Sequence, residues 1–148
     1  MKNAYLKAFL GGLVIGTTPA FFIALIEPYL SPNFIPEGVK ILSDFLKDGI
    51  GTQQIVFFLT IALIMPVVEE LLFRGLLWKL LAWKLSPKLT WILVSVLFAM
   101  VHQIPLRIVC ILPFSFFIGW LRLKTGKLGP SILAHMTNNT MVCVLMTL

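Results

Sequence analysis

The sequence predicts an all-α protein, a bundle of about five transmembrane helices, and its composition and apolar runs carry this prediction. Hydrophobic residues make up 59% of the 148 residues, and charged residues only 12%. The mean hydropathy is +0.98. An ordinary soluble domain carries about 25% charged residues, and a domain this small cannot bury so much apolar surface in one core. Lipid is therefore the expected solvent.

A polar segment separates the first two predicted spans. A helix needs about 20 mostly apolar residues to cross a bilayer core, and residues 4–26 supply the first such run. Residues 27–51 contain prolines and acidic residues and are expected to connect the spans on the outer side. A long helix is predicted over 52–84, with a kink at Pro66. The chain thus divides into residues 1–51, the first span with its connection, and a core of residues 52–148.

Three shorter spans complete the predicted core. Ser86 and Pro87 end the long helix, because proline cannot continue it. The third span is expected over 89–103, and Pro105 turns the chain into the fourth, over 106–121. A turn around Gly126 then leads into the fifth span, over 129–148.

The distribution of lysine and arginine predicts a cytoplasmic N-terminus. With the N-terminus inside, nine basic residues fall on the cytoplasmic side and three outside, as the positive-inside rule requires. The formal charge of +6 is therefore mostly an orientation signal. Basic residues stand singly between apolar runs and form no stripe, so no nucleic-acid partner is expected. The nine are Lys2, Lys7, Arg74, Lys79, Lys84, Lys88, Arg122, Lys124 and Lys127, against Lys40, Lys47 and Arg107.

Two glutamates and an arginine stand inside the long apolar helix. A charged side chain there costs about 2.5–3.5 kcal/mol on insertion scales and marks a functional site. Glu70 and Arg74 are i, i+4 neighbours and are expected to pair. Glu69 points about 100° away around the helix and has no partner in its own segment. A carboxylate in such apolar surroundings is suited to proton transfer.

Polar side chains in the later spans are the expected partners of Glu69. Phe98 and His102 are one turn apart in the third span, and His135 and Asn139 share a face of the fifth. Neutral imidazole and amide groups in hydrocarbon need each other, water or a metal ion.

The predicted depths of these residues agree only in part. Counted from the turns at each end, Glu69 and His102 both lie roughly 22 Å from the cytoplasmic surface. His135 lies only about 12 Å from the turn before the fifth span. Bringing His135 beside Glu69 requires a tilted helix or a turn that dips into the bilayer.

These residues also carry a family resemblance. The series Glu69-Glu70-x-x-x-Arg74, Phe98-x-x-x-His102 and His135-x-x-x-Asn139 resembles the three-motif signature of the CAAX-protease and bacteriocin-processing family. Members of that family are intramembrane proteases, also called type II CAAX endopeptidases. Each motif alone is weak, but three in the right order inside apolar helices are specific together. The resemblance extends over about half the chain, residues 66–141.

The resemblance implies an intramembrane endopeptidase of a bacterial cytoplasmic membrane. Glu69 and His102 would activate water for attack on a peptide carbonyl, and His135 and Asn139 would bind the oxyanion. Glu70, Arg74 and Phe98 would support them. The substrate would be a membrane-associated or lipidated peptide.

A zinc ion is the one cofactor that the resemblance leaves open. Glu69, His102 and His135 could form a catalytic site with three protein ligands. A metal-free mechanism fits the same residues and is slightly preferred. H-E-x-x-H on one helix is not found in the sequence.

Two other functions fit the same pattern. A non-catalytic scaffold or bacteriocin-immunity-type binding protein could use the buried polar network to hold helices or a peptide. A small transporter could use Glu69 as a proton relay, although its usual paired halves are not evident.

Overall fold

The computed structural model describes residues 2–16, Phe45, 51–103 and 105–145, and every regular element in these ranges is helical. α1 spans Lys2–Gly11 and continues as a π-helical turn, Gly12–Gly16. The long helix α2 runs over Thr52–Ala82. α3, α4 and α5 follow over Pro87–Met100, Pro105–Thr125 and Gly129–Leu145. The all-α prediction is confirmed for these residues.

The predicted outer connection lies mostly outside the described residues. The same holds for the later part of the first span, residues 17–26, and for residues 146–148. The division of the chain at residue 51 therefore stays a prediction.

Two helices in the described ranges are long and apolar enough to cross a membrane, namely α2 and the 108–125 part of α4. Only 17% of the α2 span is buried inside the protein. The core helix of a soluble protein would be mostly covered, whereas α2 exposes leucines such as Leu71, Leu72 and Leu76 along one face. This exposed apolar face is suited to lipid contact.

Local sequence signals set the break between α2 and α3. The α2 helix ends at Ala82, two residues before the predicted end, and the chain turns through Lys84. The Ser86 hydroxyl then accepts a hydrogen bond from the Leu89 amide at 3.4 Å and caps α3. Pro87 occupies the first turn of α3, where its missing amide proton is not needed.

α5 is the central helix of the described bundle, with α1, α2 and α4 packed around it. A core of five buried residues joins α1, α4 and α5: Ala8, Phe114, Ile118, Leu121 and Ala134. α3 packs mainly against α4. Their close approach depends on Gly119, because a Cβ there would lie 2.8 Å from both the Ser95 hydroxyl and the Trp91 ring.

The packing of α5 resolves the mismatch in depth. The turn before α5 lies against the last third of α2, where the Leu128 side chain reaches Gly75. Arg122, near the end of α4, donates from Nε to the Arg74 carbonyl at 3.2 Å. Gly75 precedes the end of α2 by about 10 Å of helix. The turn before α5 therefore lies about 10 Å along α2 from the end of that helix. This distance matches the difference of about 10 Å between the predicted depths of Glu69 and His135.

We expect Gly12→Leu to destabilise the protein by about 1–3 kcal/mol, the usual cost of overpacking. A Cβ on Gly12 would lie 2.5 Å from the Ala134 carbonyl oxygen, which is backbone and cannot move aside easily. Thermal unfolding of the purified protein in detergent measures the effect. Ala82→Leu, an added side chain at an exposed helix end, is the control. Equal unfolding temperatures for Gly12→Leu and wild type would contradict the packing of α1 on α5.

Candidate active site

Glu70 and Arg74 form a fully buried ion pair in the middle of α2. Arg74 Nη1 donates to Glu70 Oε1 at 3.0 Å, and both side chains are 0% exposed. The other end of the guanidinium donates to Ser115 of α4, at 2.7 Å to the hydroxyl and 3.0 Å to the carbonyl oxygen. The pairing predicted from the i, i+4 spacing is confirmed. The pair also joins α2 to α4, which the spacing alone did not indicate.

A π-helical segment, Leu71–Leu77, surrounds Arg74. At its end, the Trp78 amide bonds the carbonyls of Phe73, five residues back, and Gly75, three residues back, and not the usual acceptor four residues back. π-helical turns are rare in proteins, and those that do occur are often found at functional sites. Here the widened turn frees the Arg74 carbonyl to accept the hydrogen bond from Arg122.

Glu69 lies beside His135 of α5. Its Oε2 is 3.6 Å from His135 Nε2, and its side chain is 28% exposed, against 6% for His135. The fifth helix thus supplies the partner that α2 lacks. Glu69 is also the more exposed member of the acidic pair, since Glu70 is 0% exposed.

His135 is held between the two glutamates by its two ring nitrogens. Nδ1 lies 3.0 Å from Glu70 Oε1, which also accepts from Arg74. Because a carboxylate partnered by an arginine acts as an acceptor, Nδ1 carries the proton in this contact. Nε2 is then the atom that faces Glu69, and the ring orientation leaves it free for chemistry.

His102 lies two residues beyond the end of α3, in the turn, and not within the helix as the sequence predicted. The helix ends at Met100, and Gln103 adopts a left-handed conformation with φ of 59°. His102 Nδ1 donates to the Phe98 carbonyl at 3.1 Å, because a carbonyl oxygen can only accept. This bond leaves Nε2 of His102 as the unprotonated nitrogen.

Phe98 holds the two histidines and the arginine together. Its ring centroid is 5.4 Å from that of His102 and 5.5 Å from that of His135. The Arg74 guanidinium carbon lies 4.2 Å from the same centroid, a cation–π contact. Phe98 is 1% exposed, so it excludes water from this side of the ion pair. Phe98 thus contacts both histidines and Arg74.

Asn139 binds the backbone of α2 at a carbonyl that proline leaves free. At the end of the π-helical turn Thr60–Ile64, the Met65 amide bonds the Thr60 carbonyl, five residues back. Pro66 has no amide proton, so the Ile61 carbonyl five residues before it lacks its donor. Asn139 Nδ2 supplies the missing hydrogen bond at 3.0 Å. The predicted kink at Pro66 thus corresponds to an irregular turn stabilised from α5.

The amide of Asn139 retains capacity for a further contact. Each side-chain amide has two N–H groups, and the contact with Ile61 uses one. The oxygen of Asn139 accepts from Asn138 at 3.2 Å. Its predicted role as an oxyanion donor stays a prediction, carried by the second N–H.

The described residues do not form a metal centre of the expected kind. A catalytic zinc ion takes three protein ligands. No group of three histidine, cysteine, aspartate or glutamate side chains within the described ranges is arranged to hold a metal ion. The possible zinc site at Glu69, His102 and His135 stays a prediction.

Sequence reasoning missed two groups at the site. One is Ser115, which accepts hydrogen bonds from Arg74. The Ser115 hydroxyl also donates to the Ser95 carbonyl at 2.9 Å, and the Ser95 hydroxyl donates to the Ser115 carbonyl at 3.2 Å. Phe114 makes an edge contact with the His135 ring, with the centroids 5.7 Å apart. A serine in the middle of an apolar run was a usable signal. A phenylalanine there was not, since most apolar helices contain several.

A comparison with known families finds a match that covers the site. The model of the family described as Rce1-like, type II CAAX prenyl endopeptidase Rce1-like, matches residues 51–141. This range includes α2, α3, α4 and the part of α5 that carries His135 and Asn139. No curated protein and no solved structure matched the chain.

Proposed function

Since the chain belongs to the Rce1-like family of type II CAAX prenyl endopeptidases, a family of membrane-embedded proteases, we propose that it is an intramembrane endopeptidase with Glu69 as the general base. The observation that carries the proposal is the pairing of Glu69 with His135 at 3.6 Å on the partly exposed side of a buried charge cluster. A carboxylate so placed can receive a proton from water.

The charges of the cluster favour one additional proton. The cluster holds two carboxylates and one arginine: Glu70 bonds Arg74 at 3.0 Å, whereas Glu69 contacts His135 at 3.6 Å. An unbalanced charge in low dielectric is costly, so a proton shared between Glu69 and His135 Nε2 brings the cluster to neutrality. The proton can thus move between the two groups without separating charge over a long distance.

In the proposed reaction, Glu69 accepts a proton from water as the water oxygen bonds to the scissile carbonyl carbon. His102 orients that water through Nε2. The carbonyl oxygen becomes the oxyanion and is stabilised by the Nε2 proton of His135 and the free N–H of Asn139. The C–N bond then breaks, and Glu69 returns its proton to the leaving amine.

The proposed mechanism uses side chains alone. Glu70 and Arg74 position His135 and do not touch the substrate. The proposed role of Glu70 is to hold the His135 ring through Nδ1 at 3.0 Å.

The proposed topology is five spans with a cytoplasmic N-terminus in a bacterial cytoplasmic membrane. It rests on the charge count of the loops and on the exposed apolar surface of α2. The substrate is proposed to be a membrane-anchored peptide that meets the site from the cytoplasmic side. The family description makes a prenylated CAAX peptide the first probe.

We expect purified protein in liposomes to cleave a farnesylated CAAX peptide, and His102→Gln to be roughly 100-fold slower. Glutamine is also polar, but it has no acceptor nitrogen at the position of His102 Nε2. It therefore cannot orient the water as His102 does. The rate is measured from the released tripeptide by mass spectrometry. Gln103→Asn, a neighbouring exposed polar residue, is the control and should keep the wild-type rate.

The other outcomes identify the competing functions. Absence of cleavage by the wild type with both prenylated and unprenylated peptides would favour a scaffold. Loss of cleavage after chelation, restored by zinc and not by magnesium, would contradict the metal-free mechanism.

A further inference from the structure

A cleft separate from the candidate active site lies between the beginning of α1 and the end of α4. It is a cleft of about 330 Å³, within the range of small-molecule sites. Its lining combines basic, polar and aromatic side chains from the two helices: Asn3, Ala4, Lys7, Trp120, Leu121, Lys124 and Thr125.

The cleft carries positive charge that is not neutralised by the described part of the protein. Lys7 and Lys124 come from different helices and both line the cleft. The two acidic residues in the described ranges, Glu69 and Glu70, are engaged with His135 and Arg74. Neither lysine has a carboxylate partner within those ranges. Two like charges facing one cleft repel each other, so an anion between them is stabilising.

The wall of the cleft indicates where the anion is held relative to the membrane. Trp120 is half-buried and stacks on Phe117, with the ring centroids 6.2 Å apart. Tryptophan is enriched at the boundary between hydrocarbon and headgroups, and basic pockets there bind anionic lipid headgroups. The lysines therefore stand at the depth of lipid phosphates.

We propose that this cleft binds the phosphate group of an anionic phospholipid. Lys7 and Lys124 contact the phosphate, Asn3 and Thr125 contact the polar headgroup, and Trp120 packs on the upper part of an acyl chain. The proposal rests on the membrane topology of the proposed function, but it does not require cleavage. Lipid bound here joins α1 to α4, and α1 also packs against the site helix α5.

The test is native mass spectrometry of protein released from nanodiscs that contain phosphatidylglycerol and phosphatidylcholine in equal amounts. We expect Lys7→Gln/Lys124→Gln to retain phosphatidylglycerol roughly 10- to 30-fold less than wild type, from about 1 kcal/mol per lysine near a lipid surface. Lys79→Gln/Lys84→Gln is the matched control. It makes the same charge change beside Trp78 and Trp83, outside the cleft.

Three outcomes decide the proposal. Equal loss of lipid in both double variants would overturn it, because the attraction would then come from general surface charge. Equal retention in the cleft variant and wild type would overturn it as well. Displacement of the lipid by millimolar inorganic phosphate would overturn the lipid proposal, because the cleft would then be a site for a soluble phosphate.

A fourth measurement separates this proposal from the proposed function. Glu69→Gln should retain lipid as wild type does, because Glu69 does not line the cleft. Lipid retention without cleavage in the wild type would leave the lipid site standing and remove the endopeptidase. Cleavage without selective lipid retention would support the endopeptidase and overturn the lipid site.

Discussion

Arg74→Met will destabilise the protein by about 3–5 kcal/mol, the usual effect of removing one partner from a buried ion pair. Methionine fills much of the same volume but removes the guanidinium from Glu70, which keeps only its contact with His135. It also removes the donor to Ser115 and the cation over the Phe98 ring, so α2 loses contacts with both α3 and α4. A large fall in the unfolding temperature in detergent is the expected measurement.

The control for this prediction is Arg122→Met, the same chemical change on a less buried arginine. Arg122 makes one hydrogen bond to the α2 backbone and a 5.8 Å contact with the Trp78 ring. Its loss should cost only about 1 kcal/mol.

A second variant separates charge from packing. In Glu70→Gln/Arg74→Met the uncompensated charge is gone, so we expect the double variant to recover part of the stability. Wild-type unfolding temperature for Arg74→Met alone would contradict the structural role of the pair.

The Glu70–Arg74 pair was predictable because both partners lie on one helix, where spacing sets geometry. The partner of Glu69 was not, since it depends on where α5 packs. His135 was named as a candidate, but the predicted depth placed it about 10 Å from Glu69. Only the contact of Leu128 with Gly75 shows that the turn dips along α2.

Asn139 shows a different limit of the sequence. Its place on the His135 face of α5 follows from helical periodicity. The carbonyl that it binds is exposed by a π-helical turn combined with a proline, and a π turn has no reliable sequence signal. The end of α3 before His102 was missed for a related reason, because the apolar pattern continues through Val101.

Glu69→Gln will lower the rate of peptide cleavage by roughly 10²–10⁴-fold, the range for loss of a general base. Glutamine has nearly the same shape and can still bond His135, but its amide cannot take a proton from water. The fold should be unaffected, because Glu69 is 28% exposed and its contact with His135 is long, at 3.6 Å. Cleavage of the farnesylated peptide and thermal unfolding are measured on the same preparation.

The neighbouring residue supplies the control for Glu69. Glu70→Gln makes the identical change one position along α2, but at a 0% exposed carboxylate bonded to Arg74 and His135. It should lower the unfolding temperature, which Glu69→Gln should not. If Glu69→Gln cleaves at the wild-type rate, the base is another group and the proposed mechanism is wrong. If both variants lose stability equally, the two glutamates form one structural cluster, and the division between a catalytic and a positioning carboxylate does not hold.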